Sequence, residues 1–277
     1  MNRIIVAFNG VNMSQSALDY AVNIAESTKS RLVGVFLRDI QYLGNIYNYG
    51  FGEPYIDLDQ LSTDSVKNRD LRKKNMRQFM KVCDSMNIEA TIHFDKGTPA
   101  RELIHESAWA DLIITSSNTS FFPVYSDIPN SFLQDVLTES HCPVLIVPEA
   151  YEPIKSVCLT YDGSPTAMHA IKMFSYVFKE WRLLPVELVS AYAGKENTVP
   201  EMDNLKEFME KHFDRVNFQF IKNGNVDKLL KHIETSRKNR MVVMGAFGRN
   251  AISRFIHRST SEKVIRDIQV PVFIAHH

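Results

Sequence analysis

Two short stretches decide how this sequence is interpreted: CPVLIV at residues 142–147 and VPVFIA at residues 270–275. Each joins a proline and a valine to an apolar run that is typical of a buried strand. A second pair opens the two halves, since IIVAFNG at residues 4–10 corresponds to VCLTYDG at residues 157–163. This self-similarity predicts that the chain is a duplicated unit.

The two halves differ in length because the first one carries an insertion. Gly10 and Gly163 lie about 25 positions farther apart than the two prolines of the later pair. The surplus falls between about residues 39 and 65, where no helical or strand period is visible and five aromatic residues occur among glycines. These are Tyr42, Tyr47, Tyr49, Phe51 and Tyr55. We expect an inserted loop with an aromatic surface.

Short β-branched runs alternate with helical patterns in both halves, which is typical of βαβ units around a parallel sheet. Five strands are predicted in each half, near residues 4–8, 32–37, 90–94, 112–115, 144–147, 157–161, 186–191, 217–221, 241–244 and 272–275. Ser164 followed by Pro165 predicts a helix start. We therefore predict an α/β protein of two tandem five-stranded, Rossmann-like domains, residues 1–149 and 153–277.

Composition and charge are those of a soluble protein. The chain has 277 residues, of which 44% are apolar, and its 32 basic residues equal its 32 acidic ones. A net charge of zero argues against nucleic acid as a partner and against a broad attraction to anionic membranes. The start of the chain shows no signal-peptide pattern, so we expect a cytoplasmic protein. The three cysteines, Cys83, Cys142 and Cys158, have no metal-ligand spacing and are expected to be small apolar packing residues.

Residues typical of a ligand site follow predicted strands of the second half. Asp162-Gly163-Ser164 comes after its first strand, and Gly245 and Gly248 come after its fourth. The segment RSTS at residues 258–261 leads into the last predicted helix, whose free backbone N–H groups would attract an anion. Since ligands bind beyond the carboxyl ends of parallel strands, these residues predict one site.

The whole chain resembles a tandem universal stress protein. The family pattern is an aspartate after the first strand, then Gly-x-x-Gly, nine residues and Gly-Ser/Thr before the last helix, and a Pro-Val pair in the last strand. The resemblance implies an ATP-like adenine nucleotide, with or without Mg²⁺, bound in the second domain only. The residues that it assigns to the site are Asp162 and Val189 near the adenosine, Met244, Gly245 and Gly248 along the ribose and phosphates, and Ser259 at the phosphates. Arg258 and Thr260, on either side of Ser259, complete the predicted site.

Arg258 departs from the family pattern, which has glycine at that position. A non-glycine residue costs about 1–2 kcal/mol if the backbone there is left-handed, and the side chain would fill the phosphate space. Alternatively, its guanidinium would hold the phosphates through a bidentate contact. The sequence leaves both alternatives open.

The first half departs further from the pattern, so we expect no nucleotide site of this type there. Asn9 replaces the aspartate, Ser116 and Thr119 replace the glycines, and Asn130-Ser131 replaces Gly-Ser. The loop between Thr119 and Asn130 is apolar and aromatic at residues 120–125, which favours packing or a protein partner.

Several of these residues have a simpler structural interpretation. Ser259 with Glu262, and Ser131 with Gln134, both match a capping box. Asp162 is also a good turn residue. The basic run between Lys67 and Lys81 fits the solvated face of a helix.

The favoured hypothesis is a stress-response protein that binds an adenine nucleotide and acts as a sensor or regulator. Hydrolysis stays open, although no catalytic base can be named. The alternative is an interaction scaffold that works through the aromatic loops of the first domain. The resemblance also implies that the last strands of the two domains pair within one chain as a pseudo-dimer, and it leaves a homodimer open.

Overall fold

The structure is a computed structural model, and it describes residues 1–39, 58–121, 129–190, 201–221, 226–236, 238–245 and 269–275. The first half contains β1 (Arg3–Asn9), α1 (Gln15–Thr28), β2 (Arg31–Asp39), α2 (Leu58–Ser85), β3 (Ala90–Gly97), α3 (Pro99–Ser107), β4 (Leu112–Ser116), α4 (Ser131–Glu139) and β5 (Val144–Val147). The second half contains β6 (Ser156–Thr160), α5 (Pro165–Val177), a short 3-10 helix (Lys179–Trp181), β7 (Val186–Ser190), α6 (Met202–His212), β8 (Val216–Phe220), α7 (Val226–Thr235), β9 (Arg240–Gly245) and β10 (Val272–Ala275).

All ten strands form one sheet, in the order β3-β2-β1-β4-β5-β10-β9-β6-β7-β8. Every neighbouring pair within a half is parallel, and the two halves join where β5 and β10 run antiparallel, with Leu145 opposite Phe273. The predicted α/β class and the predicted pairing of the two last strands are therefore confirmed. Each predicted strand lies within one to three residues of an observed one because buried parallel strands are continuous apolar runs.

The core is arranged differently on the two faces of the sheet. On the face covered by α1, α2, α5 and α6, a single apolar cluster extends across both halves and includes Phe8, Phe79, Phe174 and Phe273. On the opposite face, the residues packed under α3 and α4 and those packed under α7 form two separate clusters. The two halves therefore share one hydrophobic core on this face of the sheet.

Polar contacts also tie the first half to the second half and to the segment that connects them. The indole N–H of Trp181 donates to the Ser27 hydroxyl at 3.1 Å. The Tyr20 hydroxyl accepts from the backbone N–H of Glu152 at 3.2 Å, and its ring lies 4.7 Å from that of Tyr151. Burial is the main cause that raises the pKa of Tyr20, so this hydroxyl stays protonated at neutral pH. Among the described helices, none is long and apolar enough to cross a membrane.

Two details of the sequence interpretation are wrong. The predicted loop at residues 39–65 is too long, because β2 extends to Asp39 and α2 already begins at Leu58. Its five aromatic residues lie outside the described residues. Ser131 does not cap α4 either: the N-cap is Asn130, whose side chain accepts from the backbone N–H of Leu133 at 3.0 Å.

Candidate functional site

The candidate site lies at the carboxyl ends of β6, β7 and β9. Helix α5, which follows β6, and helix α7, which precedes β9, lie on opposite faces of the sheet there. Strand β6 lies between β7 and β9, so this is the switch point of the second half. Thr160 pairs with Val189 on one side, and Leu159 pairs with Val243 on the other, which puts Thr160 beside Met244. The cluster under α7 contains Cys158, Val189 and Val242. Side chains two residues apart on a strand share a face, so Thr160 lies on the same face as Cys158, and Met244 on the same face as Val242.

A row across the sheet is thus formed by two predicted site residues, Val189 and Met244, with Thr160 between them. All three are buried. The Thr160 hydroxyl donates to the backbone carbonyl of Val243 at 3.0 Å, so it is satisfied within the protein. Val189 and Met244 therefore supply the apolar surface of this row.

Asp162 follows the row by two residues and is exposed. Its Oδ1 accepts from the backbone N–H of Ser164 at 2.9 Å, which confirms its interpretation as a turn residue. Within the described part of the chain, Oδ2 has no hydrogen-bond donor, so it can accept one from a ligand. Gly163 has a φ of 84°, which is the left-handed conformation that favours glycine.

The turn leads directly into α5, as predicted. Ser164 is the N-cap, with its hydroxyl accepting from the backbone N–H of Ala167 at 3.1 Å, and Pro165 is the first helical residue. Beside this turn, burial and then the charges of Glu201 and Asp162 raise the pKa of Tyr161. Tyr161 therefore stays neutral at physiological pH and adds no charge to the site.

Gly245, at the end of β9, has a packing reason to be glycine. A Cβ there would lie 2.8 Å from the backbone C and O of Thr166 and 2.9 Å from the backbone N of Ala167. The first turn of α5 therefore approaches β9 too closely for a side chain. This contact explains the glycine without a ligand, while keeping the α5 turn against the edge that carries Asp162.

The remaining predicted residues, Gly248, Arg258, Ser259 and Thr260, lie outside the described residues, as does the predicted last helix. Their roles at the phosphates stay predictions. The structure therefore brings together Asp162, Val189, Met244 and Gly245 at one edge. These are the predicted site residues whose positions the structure describes.

Sequence reasoning missed two residues at this edge, Thr160 and Ser190. Ser190 ends β7 with only 1% of its surface exposed, and its hydroxyl has no hydrogen-bond partner among the described residues. It lies on the opposite face of β7 from Val189 because side chains alternate. Both could have been found from the sequence, because each is a hydroxyl residue that ends the apolar run of a predicted strand.

The corresponding edge of the first half is closed by its own hydrogen bonds. Asn9 keeps the turn, since its Oδ1 accepts from the backbone N–H of Val11 at 3.0 Å, but its amide donates to the carbonyl of Ser120 at 2.6 Å. The buried amide of Asn130 donates to the carbonyl of Thr119 at 2.8 Å, and the hydroxyls of Thr115 and Thr119 are 3.2 Å apart. Thr119 and Asn130 stand where the family pattern has glycine, and their bonds give a physical reason for the expectation that no nucleotide binds there.

Phe121, the first aromatic residue of the following loop, packs against the core rather than standing free. Its ring lies 4.9 Å from that of Phe132. The rest of the loop, through Tyr125, lies outside the described residues.

The cysteines are packing residues, as predicted. All three are free and buried. Burial raises the pKa of Cys83 to about 11 and those of Cys142 and Cys158 to about 12, so their thiols are protonated and unreactive at neutral pH. Among the described residues, no group of three or more His, Cys, Asp or Glu side chains is placed to hold a metal ion.

Comparison with known proteins agrees with the tandem α/β fold. The model of the universal stress protein family matches residues 1–148 and again residues 153–276. A curated relative, the universal stress protein MJ0531 of Methanocaldococcus jannaschii, is 21% identical over 152 residues, which are 52% of this chain and 81% of the relative.

Two solved structures share the fold over the whole chain. A universal stress protein from Archaeoglobus fulgidus superposes with a TM-score of 0.67 at 17% identity, covering 99% of this chain and 98% of the other. A functionally unknown protein, PA1789 of Pseudomonas aeruginosa, gives a TM-score of 0.56 at 14% identity, covering 100% of this chain and 92% of the other. At these identities the likeness is one of fold.

Proposed function

The chain belongs to the universal stress protein family, and from that premise we propose that its second domain binds an ATP-like adenine nucleotide and acts as a stress-response sensor or regulator. The site would be the edge formed by β6, β7 and β9. The observation that carries the proposal is the apolar row of Val189 and Met244 beside Asp162 at the switch point. An apolar surface with a few fixed polar groups is the usual composition of a small-molecule site.

The described residues fit the adenosine part of such a ligand. Val189 and Met244 are apolar and lie buried beneath this edge, so a planar base would contact them once the residues that cover them move, and Met side chains adapt to ring surfaces. Asp162 keeps one carboxylate oxygen for a hydroxyl or amino group of the ligand while the other holds the turn. The residues proposed for the phosphates are Gly248 and Ser259, which the family resemblance assigns, together with the neighbouring Arg258 and Thr260.

Asp162→Asn is the variant that separates the ligand role of this residue from its turn role. An asparagine still accepts the hydrogen bond of the turn, as Asn9 does in the first half. The unliganded protein should therefore keep its melting temperature, while the nucleotide loses its charged acceptor. Asp162→Ala would confound the two effects because it also removes the acceptor for the N–H of Ser164.

The test is the melting temperature of the nucleotide-stripped protein in millimolar ATP, ADP or AMP, with and without Mg²⁺. A ligand at about one hundred times its Kd stabilises the folded state by about 2.7 kcal/mol, which corresponds to roughly 5–10 °C for a chain of this size. We expect such a shift for the wild type and at most a small part of it for Asp162→Asn. Glu234→Gln, an exposed charge removal at the far end of α7, should keep the full shift.

Arg258→Gly distinguishes the two roles open to Arg258. A larger shift than in the wild type means that the arginine fills the phosphate space, and a smaller one means that it holds the phosphates. A wild type that no adenine nucleotide stabilises, with Arg258→Gly equally unresponsive, would contradict the proposed function. Phosphate release measured on the same samples decides whether bound ATP is hydrolysed.

A further inference from the structure

A second surface of interest is a shallow cleft in the first domain, between α2 and β3. Its volume is about 390 Å³. Met76, Met80 and Ile92 line it with apolar atoms, and Arg77, Lys81 and Asp84 form its rim. Methionine side chains adapt to apolar groups of different shape, so this surface suits an apolar side chain from a partner.

The cleft adjoins an edge of the sheet, because β3 is the first strand of the sheet order. The backbone N–H of Leu32 donates to the carbonyl of Glu89 at 2.9 Å, so the carbonyl of Glu89 points toward β2. Main-chain groups alternate in direction along a strand, so those of Ala90, Ile92 and Phe94 point away from β2. No described residue pairs with them, and an edge of this kind accepts another strand.

The side chains of these same residues face α2. Ala90 and Ile92 pack against the apolar cluster that lies under α2, and Phe94, two residues on, shares their side of the strand. A strand added beside β3 would therefore direct every second side chain toward the cleft. The open main chain and the apolar cleft belong to one surface.

This surface also carries an excess of positive charge, since Asp84 is the one acidic residue, of those that the structure describes, that lines the cleft beside Arg77 and Lys81. The guanidinium of Arg72 lies 5.9 Å above the ring of Phe94. Burial, and then the nearby charges of Arg38 and Arg69, lower the pKa of Arg72. Among the described residues, no acidic side chain forms an ion pair with these arginines or with Arg77. Like charges held this close favour an acidic partner.

We propose that the β3 edge and the adjoining cleft bind an extended protein segment in which acidic side chains flank one large apolar side chain. The segment pairs with β3 through its main chain, places its apolar side chain in the cleft, and sets its carboxylates against Arg77, Lys81 and Arg72. Main-chain pairing provides affinity and the side-chain positions provide specificity in this mode of recognition. An extended segment fits better than a small molecule, because small-molecule sites bury about 70–90% of their ligand and this cleft is shallow.

The probe is the labelled seven-residue peptide TETLTET, tested on the full chain by fluorescence anisotropy. Its Glu, Leu and Glu side chains lie on one side of a strand, about 7 Å apart, and its threonines favour the extended conformation. We expect saturable binding that weakens as salt is raised. The peptide TKTLTKT, with reversed charges, should not bind.

Two charge-reversed variants test the location. Arg77→Glu with Lys81→Glu should weaken TETLTET by about tenfold or more, since like charges now meet at the rim. Lys172→Glu with Lys206→Glu changes the net charge equally at exposed positions of the second domain and should leave the Kd unchanged. Both pairs replace exposed side chains, so both proteins should fold, which circular dichroism checks.

Two methylated peptides test the main-chain pairing. One carries N-methyl groups on the Glu and Leu amides and the other on the threonine amides, so each blocks only one edge of the added strand. We expect one of the two to lose binding and the other to keep it. Failure of TETLTET to bind, equal binding by both charge-reversed proteins, or the same result for both methylated peptides would overturn the proposal.

Discussion

At the scale of single residues, Gly245 has one role in packing and another in the proposed site. The motif assigned it to the ligand, whereas the structure shows the backbone of Thr166 and Ala167 within 2.9 Å of a would-be Cβ. Backbone atoms of a helix cannot move aside as a flexible side chain does. The glycine is therefore needed for folding whether or not a nucleotide binds.

Gly245→Ala should destabilise the unliganded protein by about 1–3 kcal/mol, the usual cost of an overpacked methyl group. The measurement is the free energy of unfolding in urea without nucleotide. Gly97→Ala is the matched control, because the Cβ added there meets the side chain of Glu102, which can swing away. A Gly245→Ala protein as stable as the Gly97→Ala protein would show that the α5 turn does not restrict this position.

At the scale of elements, the start of α4 shows how a helix cap replaces a family motif. Asn130 is buried and bonds in two directions, accepting from the N–H of Leu133 and donating to the carbonyl of Thr119. Ser131 is the first residue of the helix and is exposed. The cap therefore also ties the start of α4 to Thr119, just beyond the end of β4.

Asn130→Ala should lower the free energy of unfolding by about 2 kcal/mol, at the upper end of the range for a lost N-cap, because the buried carbonyl of Thr119 also loses its donor. Ser131→Ala should change it by less than about 0.5 kcal/mol. Urea unfolding of both variants makes the comparison. Equal losses in the two proteins would return the capping role to Ser131.

The strands were predictable because a buried parallel strand is a continuous apolar run in the sequence, as at residues 144–147 and 272–275. The start of α2 at Leu58 was not, because the aromatic and glycine-rich residues before it obscure the helical period. The cap at Asn130 was missed because Asn and Ser both suit the position and only the neighbouring carbonyl of Thr119 decides between them. The packing role of Gly245 depends on the distance between β9 and α5, which a local sequence pattern does not predict.

At the scale of the whole molecule, the duplication has become one continuous sheet. Phe273 of β10 is fully buried, pairs with Leu145 of β5, and its ring lies 5.6 Å from that of Phe174. It belongs to the cluster that also contains Phe8 of the first half. With a sheet and a core face in common, the halves should unfold together, which would let a ligand in one domain stabilise both.

The two tryptophans of the chain allow this coupling to be measured, since Trp109 reports on the first half and Trp181 on the second. The ring of Trp109 contacts that of His105 edge-to-face with ring centres 4.9 Å apart, and the ring of Trp181 lies 4.4 Å from that of Phe178. Each half is followed in a single-tryptophan protein by replacing the other tryptophan with phenylalanine. Both proteins also carry Ser27→Ala, so that the bond between the Trp181 indole and Ser27 is absent from each of them. Coincident urea transitions are expected for one cooperative unit.

Phe273→Ala should then shift both tryptophan transitions to lower urea by the same amount, for a loss of about 3–5 kcal/mol. Leu183→Ala, at a side chain that is 67% exposed in the same half, should shift neither, because little apolar surface is lost from the core. A Phe273→Ala transition that moves only in the protein reporting through Trp181 would mean that the second half unfolds by itself. The junction of β5 and β10 would then join two independent domains, and stabilisation by nucleotide would stay within the second.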